Sequence, residues 1–192
     1  MNKSSVLIWM IIFGVVFVWS AIDPHDYLTW VLEASPAFVG AVLVAYFYLK
    51  QIPLTSTLLW LVLVHCLILI VGSHYTYALV PWFDNFMSSV WPDRNNYDKL
   101  GHFVQGFVPA IICREVVIRQ AVFNSIWWQR FFVVCFCLAF SAFYELIEWW
   151  VALFSGEGAD SFLGAQGYIW DTQSDMFLCL IGAVVALMFL SH

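Results

Sequence analysis

Residues 58–72 read LLWLVLVHCLILIVG, with no Asp, Glu, Lys or Arg and a single histidine, His65. A run of this kind predicts a helix that crosses a membrane, because about 20 apolar residues span the hydrocarbon layer of a bilayer. Five further stretches of similar character predict an all-α, polytopic membrane helix bundle, folded as one domain over residues 1–192. The expected spans are residues 5–22, 27–49, 58–80, 100–119, 130–154 and 173–190.

The composition of the whole chain agrees with this prediction. Of its 192 residues, 63% are hydrophobic and 10% are charged, whereas about 25% are charged in an ordinary soluble domain. The formal net charge of -6 excludes the basic surface that nucleic acid binding requires. Membrane lipids are therefore the expected partners, no nucleic acid is expected, and a homo-oligomer stays an open alternative.

Two features of the first half of the chain bear on its topology. Lys3 and the apolar run at 6–18 resemble a signal peptide, but we expect an uncleaved first helix. The second span contains Glu33 and Pro36, which predict a local break packed against neighbouring helices.

The distribution of Lys and Arg predicts the orientation, because positive residues near helix ends are retained in the cytoplasm. Six spans place both termini on one side, and more of the basic residues fall on that side than on the other. Both termini are therefore predicted to be cytoplasmic. The basic residues expected on the inner side are Lys3, Lys50, Arg114, Arg119 and Arg130, and those expected on the outer side are Arg94 and Lys99.

Ionisable residues recur in the last three spans, although each costs about 2.5–3.5 kcal/mol at the centre of a membrane helix. They come in pairs at helical spacing, which places the members of a pair on one helix face. The predicted topology brings all of these groups near the outer leaflet, together with His74 and Glu33. The groups are Asp98, His102 and Gln105 in the fourth span, Glu145 and Glu148 in the fifth, and Asp171, Gln173 and Asp175 in the sixth.

A polar pocket open to the outer face explains this pattern, because buried carboxylates need partners, protons or a cation. One imidazole with several carboxylates suits a divalent ion such as Mg, Mn or Zn. Without an ion, the carboxylates would share protons and supply a general acid beside a general base. The candidate catalytic residues are Asp98, His102, Glu145, Glu148, Asp171 and Asp175. The candidate metal ligands are His102, Glu145, Glu148 and Asp175.

Such a pocket predicts hydrolysis or transfer on a lipid or cell-envelope substrate, but no known catalytic motif specifies the reaction. Binding or proton-coupled transport of a small solute or lipid is the alternative, and a scaffold without chemistry is a third. Structural roles also stay open for individual residues. Asp98 and Lys99 would then be interfacial groups, and Asp171 would cap the sixth helix.

Several motifs together resemble the YjdF-like family of uncharacterised bacterial inner-membrane proteins. The resemblance covers most of the chain and implies a multi-pass protein of the bacterial inner membrane, but no established reaction. The motifs are HYTY at 74–77, YDKLGHFVQGF at 97–107, RE at 114–115, ELIEW at 145–149 and WDTQSDM at 170–176.

A more distant resemblance is to the VanZ-like membrane proteins, which are linked to glycopeptide resistance. That pattern carries over to Asp98, Lys99, His102, Glu145 and Asp175. It departs at Glu148, where that family more often has Gln.

Overall fold

The computed structural model describes residues 2–155 and 166–189, and within these ranges the chain is all-α, without strands. Among the described residues, six helices are long and apolar enough to cross a membrane, as the sequence predicts. The helices are α1 (Lys3–Ser20), α2 (Tyr27–Leu49), α3 (Ser56–Tyr75), α4 (Tyr97–Arg119), α5 (Ile126–Ser155) and α6 (Asp171–Phe189).

Polar side chains cap the starts of α2 and α3. The Asp26 carboxylate accepts a hydrogen bond from the backbone N–H of Thr29 at 2.7 Å, and Thr55 does the same for Leu58 at 3.3 Å. Such caps satisfy N–H groups that have no partner inside the helix. The hydrogen bond from Thr29 also lowers the pKa of Asp26 below its ordinary value.

The third span is shorter than predicted. The expectation of a helix over 58–80 is wrong at its end, because α3 ends at Tyr75 and Thr76 adopts the left-handed conformation with φ 57°. The backbone N–H of Tyr77 then bonds to the carbonyl of Gly72 at 2.9 Å, a closure that stops a helix. The apolar residues that follow belong to the connection between α3 and α4.

The predicted break in α2 is also wrong, because the helix runs through Pro36 without interruption. Proline cannot donate a backbone hydrogen bond to the carbonyl four residues earlier. That carbonyl, of Leu32, instead accepts the hydroxyl of Ser35 at 2.8 Å. A neighbouring serine therefore compensates for the proline, and Glu33 stays inside the helix at 4% exposure.

The chain divides into two compact units, Met1–Tyr97 and Asp98–His192. In the first unit, α3 packs against both α1 and α2. Trp9 of α1 is fully buried there, and its indole N–H donates to the carbonyl of Leu59 at 2.9 Å. The prediction that residues 1–192 form one domain stays a prediction.

In the second unit, two glycines allow α4 and α6 to approach closely. A Cβ added at Gly106 would collide with the carbonyl oxygen of Cys179, and one added at Gly182 would collide with that of Phe103. Small residues at such positions let helix backbones pack closely in a membrane. α5 packs against α6, so three helices surround the interior of this unit.

The buried interior of the second unit changes character along its length. At one end, where α4 and α6 begin and α5 ends, the buried side chains include Lys99, His102, Gln105, Ser141, Glu145, Asp171 and Asp175. Beyond this end, the buried side chains among the described residues are apolar or thiol groups, namely Val108, Ala110, Ile111, Cys113, Val117, Val133, Cys137, Leu178, Cys179, Ala183, Ala186 and Leu187.

Candidate functional site

All six predicted catalytic residues lie together at the polar end of the second unit. With two further residues of α4 they form a group that we call the polar cluster. Its members are Asp98, Lys99, His102, Gln105, Glu145, Glu148, Asp171 and Asp175.

The start of α4 places three members of the polar cluster in its first two turns. The side chain of Asn95 accepts a hydrogen bond from the backbone N–H of Tyr97 at 3.1 Å, and the helix begins at Tyr97 rather than at the predicted residue 100. Asp98 and His102 are then one turn apart, as their spacing predicts. Lys99 lies one turn before His102 and is equally buried.

Lys99 is the centre of a buried ion-pair group. Its ammonium lies 2.5 Å from Asp171 Oδ1 and 2.6 Å from Asp175 Oδ1, with Asp98 Oδ2 at 3.7 Å. The lysine side chain has no exposed surface. Lys99 is therefore a buried counter-ion of two aspartates of α6 and not an exposed interfacial group.

The imidazole of His102 lies between two sets of carboxylates. Its Nε2 atom is 3.3 Å from Asp98 Oδ1 and 4.0 Å from Asp175 Oδ2. On the other edge of the ring, Nδ1 is 2.9 Å from Gln105 Oε1 and 3.9 Å from Glu145 Oε1. Which nitrogen donates depends on the tautomer.

Glu145 and Glu148 form the less compensated side of the polar cluster. Glu145 is 8% exposed, and its buried Oε1 atom has no hydrogen-bond partner among the described residues. Glu148 is partly buried one turn further along α5. A buried polar atom without a partner is rare in folded proteins and points to an unseen water, ion or ligand.

Two overlapping groups have donor atoms close enough to hold one ion. His102, Glu145 and Glu148 form one group, and Asp98, His102 and Asp175 form the other, with the donor atoms of each within 4.8 Å of one another. His102 belongs to both. Three of the four predicted metal ligands thus fall in the first group, and Asp175 lies on the opposite edge of the imidazole.

The charges of the polar cluster do not balance when all of its carboxylates are ionised. Five carboxylates face one ammonium and one imidazole, and like charges at these distances repel strongly in a medium of low dielectric constant. The single charge of Lys99 offsets one of the two negative charges on the aspartates of α6. The remaining carboxylates, Glu145 and Glu148 among them, call for protons, a charged imidazole or a bound cation.

Lys99 and Gln105 were not among the predicted catalytic residues or metal ligands, although Gln105 was placed with the groups that form the pocket and the VanZ-like pattern includes Lys99. The spacing of Gln105 from His102 places both on one helix face, and this spacing was the signal from which Gln105 could have been identified. For Lys99 the partners lie on another helix, at Asp171 and Asp175, so no local pattern reveals them.

Two other residues that we expected near the pocket belong to the first unit. The Nδ1 atom of His74 is 3.0 Å from the backbone carbonyl of Ser20, and Glu33 is buried in α2. The polar cluster is built from residues of the second unit, and a role for His74 or Glu33 in it stays a prediction.

The fold and the polar cluster define a polytopic helical membrane protein in which three spans contribute buried ionisable groups to one cluster. The chain belongs to the family described as "Predicted membrane protein (DUF2238)", whose model matches residues 5–192. It is 45% identical, over 177 residues, to the "Inner membrane protein YjdF" of Escherichia coli (strain K12), which covers 92% of this chain and 84% of that protein.

No solved structure matches the chain significantly. The resemblance to the YjdF-like family is confirmed, and with it the prediction of a multi-pass protein of the bacterial inner membrane. The more distant resemblance to VanZ-like proteins stays a prediction.

Proposed function

We propose that this membrane protein binds a divalent cation between His102, Glu145 and Glu148, and uses it to act on a lipid or cell-envelope substrate. The observation that carries the proposal is the buried Oε1 atom of Glu145, which accepts no hydrogen bond from the described residues. This atom lies 3.9 Å from His102 Nδ1, in a region of uncompensated negative charge. A cation there would satisfy the oxygen and offset the charge.

The types of donor atom in this group favour a hard or borderline ion. Carboxylate oxygens suit Mg²⁺ and Mn²⁺, and imidazole nitrogen also suits Zn²⁺. No thiol belongs to either donor group in the described part of the chain, so a site for a soft metal has no support there.

The other half of the polar cluster would orient the ligands. Asp98 lies 3.3 Å from His102 Nε2, and by accepting its N–H it would leave the lone pair of Nδ1 free for the ion. A carboxylate behind a ligating histidine fixes its tautomer and ring orientation in many metal sites. Lys99 would hold Asp171 and Asp175 in place on the opposite side.

A lipid or cell-envelope substrate is favoured by the place of the polar cluster in the fold. It lies where α4 and α6 begin and α5 ends, and the ends of spanning helices lie near the headgroup layer. Partly buried Glu148 would bind the ion through one carboxylate oxygen and take up a proton from an attacking water through the other. In hydrolysis the water oxygen would bond to the electrophilic atom, the bond to the leaving oxygen would break, and that oxygen would depart with the proton that Glu148 took up.

The alternative function is proton-coupled transport. Asp171, Lys99, Asp175, His102 and Glu145 form a continuous series of titratable groups, and such series serve as proton relays in transporters. Against this alternative stands the apolar layer beyond the polar cluster. A proton would have to pass this layer to cross the second unit.

Metal analysis of the purified protein tests the proposal. The protein would be purified in detergent without chelator, loaded with Mn²⁺, Zn²⁺ or Mg²⁺, desalted and measured by elemental analysis. The wild type and a Glu115→Gln control are expected to retain about one ion per chain. His102→Ala and Glu148→Gln are expected to lose it. A wild type that retains none of the three metals refutes the proposal.

A second pair of assays separates the enzyme from the transporter. Mass spectrometry of a bacterial polar lipid extract incubated with the metal-loaded protein is expected to show new products that the Glu148→Gln variant does not form. Proton uptake into proteoliposomes that requires His102, without any product, would favour the transporter instead.

A further inference from the structure

Gln105 is a buried amide whose oxygen faces the proposed cation site. The residue is 7% exposed, and its Oε1 atom lies 2.9 Å from Nδ1 of His102. Its position three residues after His102 places both side chains on one face of α4. The close approach of Gly106 to α6 holds this part of the helix against the rest of the unit.

The contact between Gln105 and His102 can be read in different ways, according to which ring nitrogens carry a proton. If Nδ1 carries a proton, alone or together with Nε2, it donates to Gln105 Oε1 and is unavailable to an ion. If Nε2 alone carries a proton, it faces Asp98, and the lone pairs of Nδ1 and Gln105 Oε1 meet. Two lone pairs 2.9 Å apart repel unless a cation lies between them.

We propose that Gln105 Oε1 is a ligand of the divalent cation, adjacent to His102 Nδ1, and that the site prefers an ion with octahedral geometry, Mn²⁺ or Mg²⁺, over Zn²⁺. The inference rests on the proposed function, since it concerns the same ion. It adds a fourth protein ligand to His102, Glu145 and Glu148.

The distances between donor atoms support the octahedral ion. Adjacent ligands about 2.1 Å from an octahedral ion lie about 3.0 Å apart, and opposite ligands about 4.2 Å apart. Ligands of a tetrahedral zinc ion at a similar radius lie about 3.4 Å apart. The separation of 2.9 Å between His102 Nδ1 and Gln105 Oε1 matches adjacent octahedral positions. The separation of 3.9 Å to Glu145 Oε1 exceeds the tetrahedral value.

The amide oxygen would also explain why a glutamine occupies this position. A third glutamate beside Glu145 and Glu148 would add another negative charge to a buried site that already lacks compensation. An amide supplies a hard oxygen without that charge. Carbonyl oxygens of Asn and Gln are ordinary ligands of hard cations in proteins.

Mn²⁺ titration followed by electron paramagnetic resonance tests the inference on full-length protein in detergent. The variants are Gln105→Leu, which removes the oxygen, and Gln105→Glu, which keeps an oxygen in nearly the same place. Gln120→Leu, at an exposed position just after α4, is the matched control. We expect Gln105→Leu to weaken Mn²⁺ binding by at least about 10-fold, the smallest loss typical of residues that support a metal site. Gln105→Glu and the control are expected to bind Mn²⁺.

Two spectroscopic and competitive readouts distinguish a ligand from a residue that only orients His102. Loss of an oxygen ligand should change the visible absorption of Co²⁺-loaded protein, because the spectrum reports the coordination number. It should also reduce the preference for Mn²⁺ over Zn²⁺. If Gln105→Leu weakens the binding of Mn²⁺ and Zn²⁺ equally and leaves the Co²⁺ spectrum unchanged, the inference is overturned and Gln105 only orients His102.

The remaining outcomes separate this inference from the proposed function. If wild type binds Mn²⁺ and Gln105→Leu binds it as tightly as Gln120→Leu, Gln105 is not a ligand and the cation site stands. If wild type binds none of the metals, both the proposed cation site and the role of Gln105 as its ligand are refuted. Should Gln105→Leu not fold, Gln105→Asn provides the test, because its shorter side chain withdraws the oxygen and is expected to weaken Mn²⁺ binding.

Discussion

Replacing Lys99 by Met should strongly destabilise the protein, because the lysine is the buried partner of two aspartates. Met keeps most of the length and volume of the side chain and removes its charge. The ammonium lies 2.5 Å from Asp171 and 2.6 Å from Asp175, and its side chain is completely buried. The variant leaves the carboxylates of these two residues, one turn apart on α6, without their cation.

The size of the effect follows from these distances. Each contact is worth about 6 kcal/mol of Coulomb energy at an effective dielectric constant of about 20. Much of this gain is offset by the cost of removing three charged groups from water. Loss of one partner leaves the other charges buried, and such changes cost about 3–5 kcal/mol. We expect Lys99→Met to lower the free energy of unfolding by this amount.

Reversible unfolding in mixed micelles, followed by circular dichroism, measures the effect. The triple variant with Lys99→Met, Asp171→Asn and Asp175→Asn is the control, since it removes the charge on both sides. It should recover most of the stability, because replacing both sides of a buried ion pair by neutral groups is often neutral. If Lys99→Met alone changes the free energy of unfolding by less than about 0.5 kcal/mol, a value usual for surface substitutions, the assignment of Lys99 as a buried counter-ion is refuted.

Four further predictions follow from other parts of the molecule. Asp26→Ala should remove the cap of α2 and destabilise the protein by about 1 kcal/mol. Because the cap lowers the pKa of Asp26 below 3.8, its contribution to stability is present above that pH and is lost as the pH falls from there through the lowered pKa, so the thermal melts of variant and wild type should converge as the pH falls below 3.8. Gly182→Val should destabilise the protein by more than the 1–3 kcal/mol that is usual for overpacking, because the new Cβ meets the backbone carbonyl of Phe103. Gly14→Ala is the control, since no atom lies within 4 Å of its added Cβ, and this variant should melt at the wild-type temperature or higher. Glu145→Leu should raise the melting temperature of metal-free protein, because it removes a buried oxygen without a hydrogen bond, and should abolish metal binding; a lower melting temperature would contradict this reading of Glu145. Green fluorescent protein fused to the C-terminus should fluoresce and alkaline phosphatase fused there should stay inactive if the terminus is cytoplasmic, and the reverse pattern would contradict the predicted topology.

The number of helices and most of their bounds were predictable from the sequence, because a membrane span depends on local composition alone. The errors arose where single contacts decide the outcome. The hydroxyl of Ser35 accommodates Pro36 inside α2, and the left-handed residue Thr76 ends α3 within an apolar run. Average hydropathy detects neither effect.

The candidate site was predictable to the extent that its residues pair along one helix. The spacing of Asp98 with His102, and of Glu145 with Glu148, indicates shared faces, and the alternation of spans indicates that these faces meet at one end. The distances across helices were not predictable. The contact of Gln105 with His102 and the division of the carboxylates into two sides depend on how α4, α5 and α6 pack.

The burial of Lys99 and Arg94 does not change the predicted orientation. The positive-inside rule counts Lys and Arg by their position near the ends of spans, whichever way their side chains point after folding. Lys99 is buried against Asp171 and Asp175, and Arg94 is 6% exposed, yet both still count toward the side that the sequence predicts to be the outer one. The larger number of basic residues on the side of the termini still favours cytoplasmic termini, and with that orientation the polar cluster is predicted to face the outer leaflet.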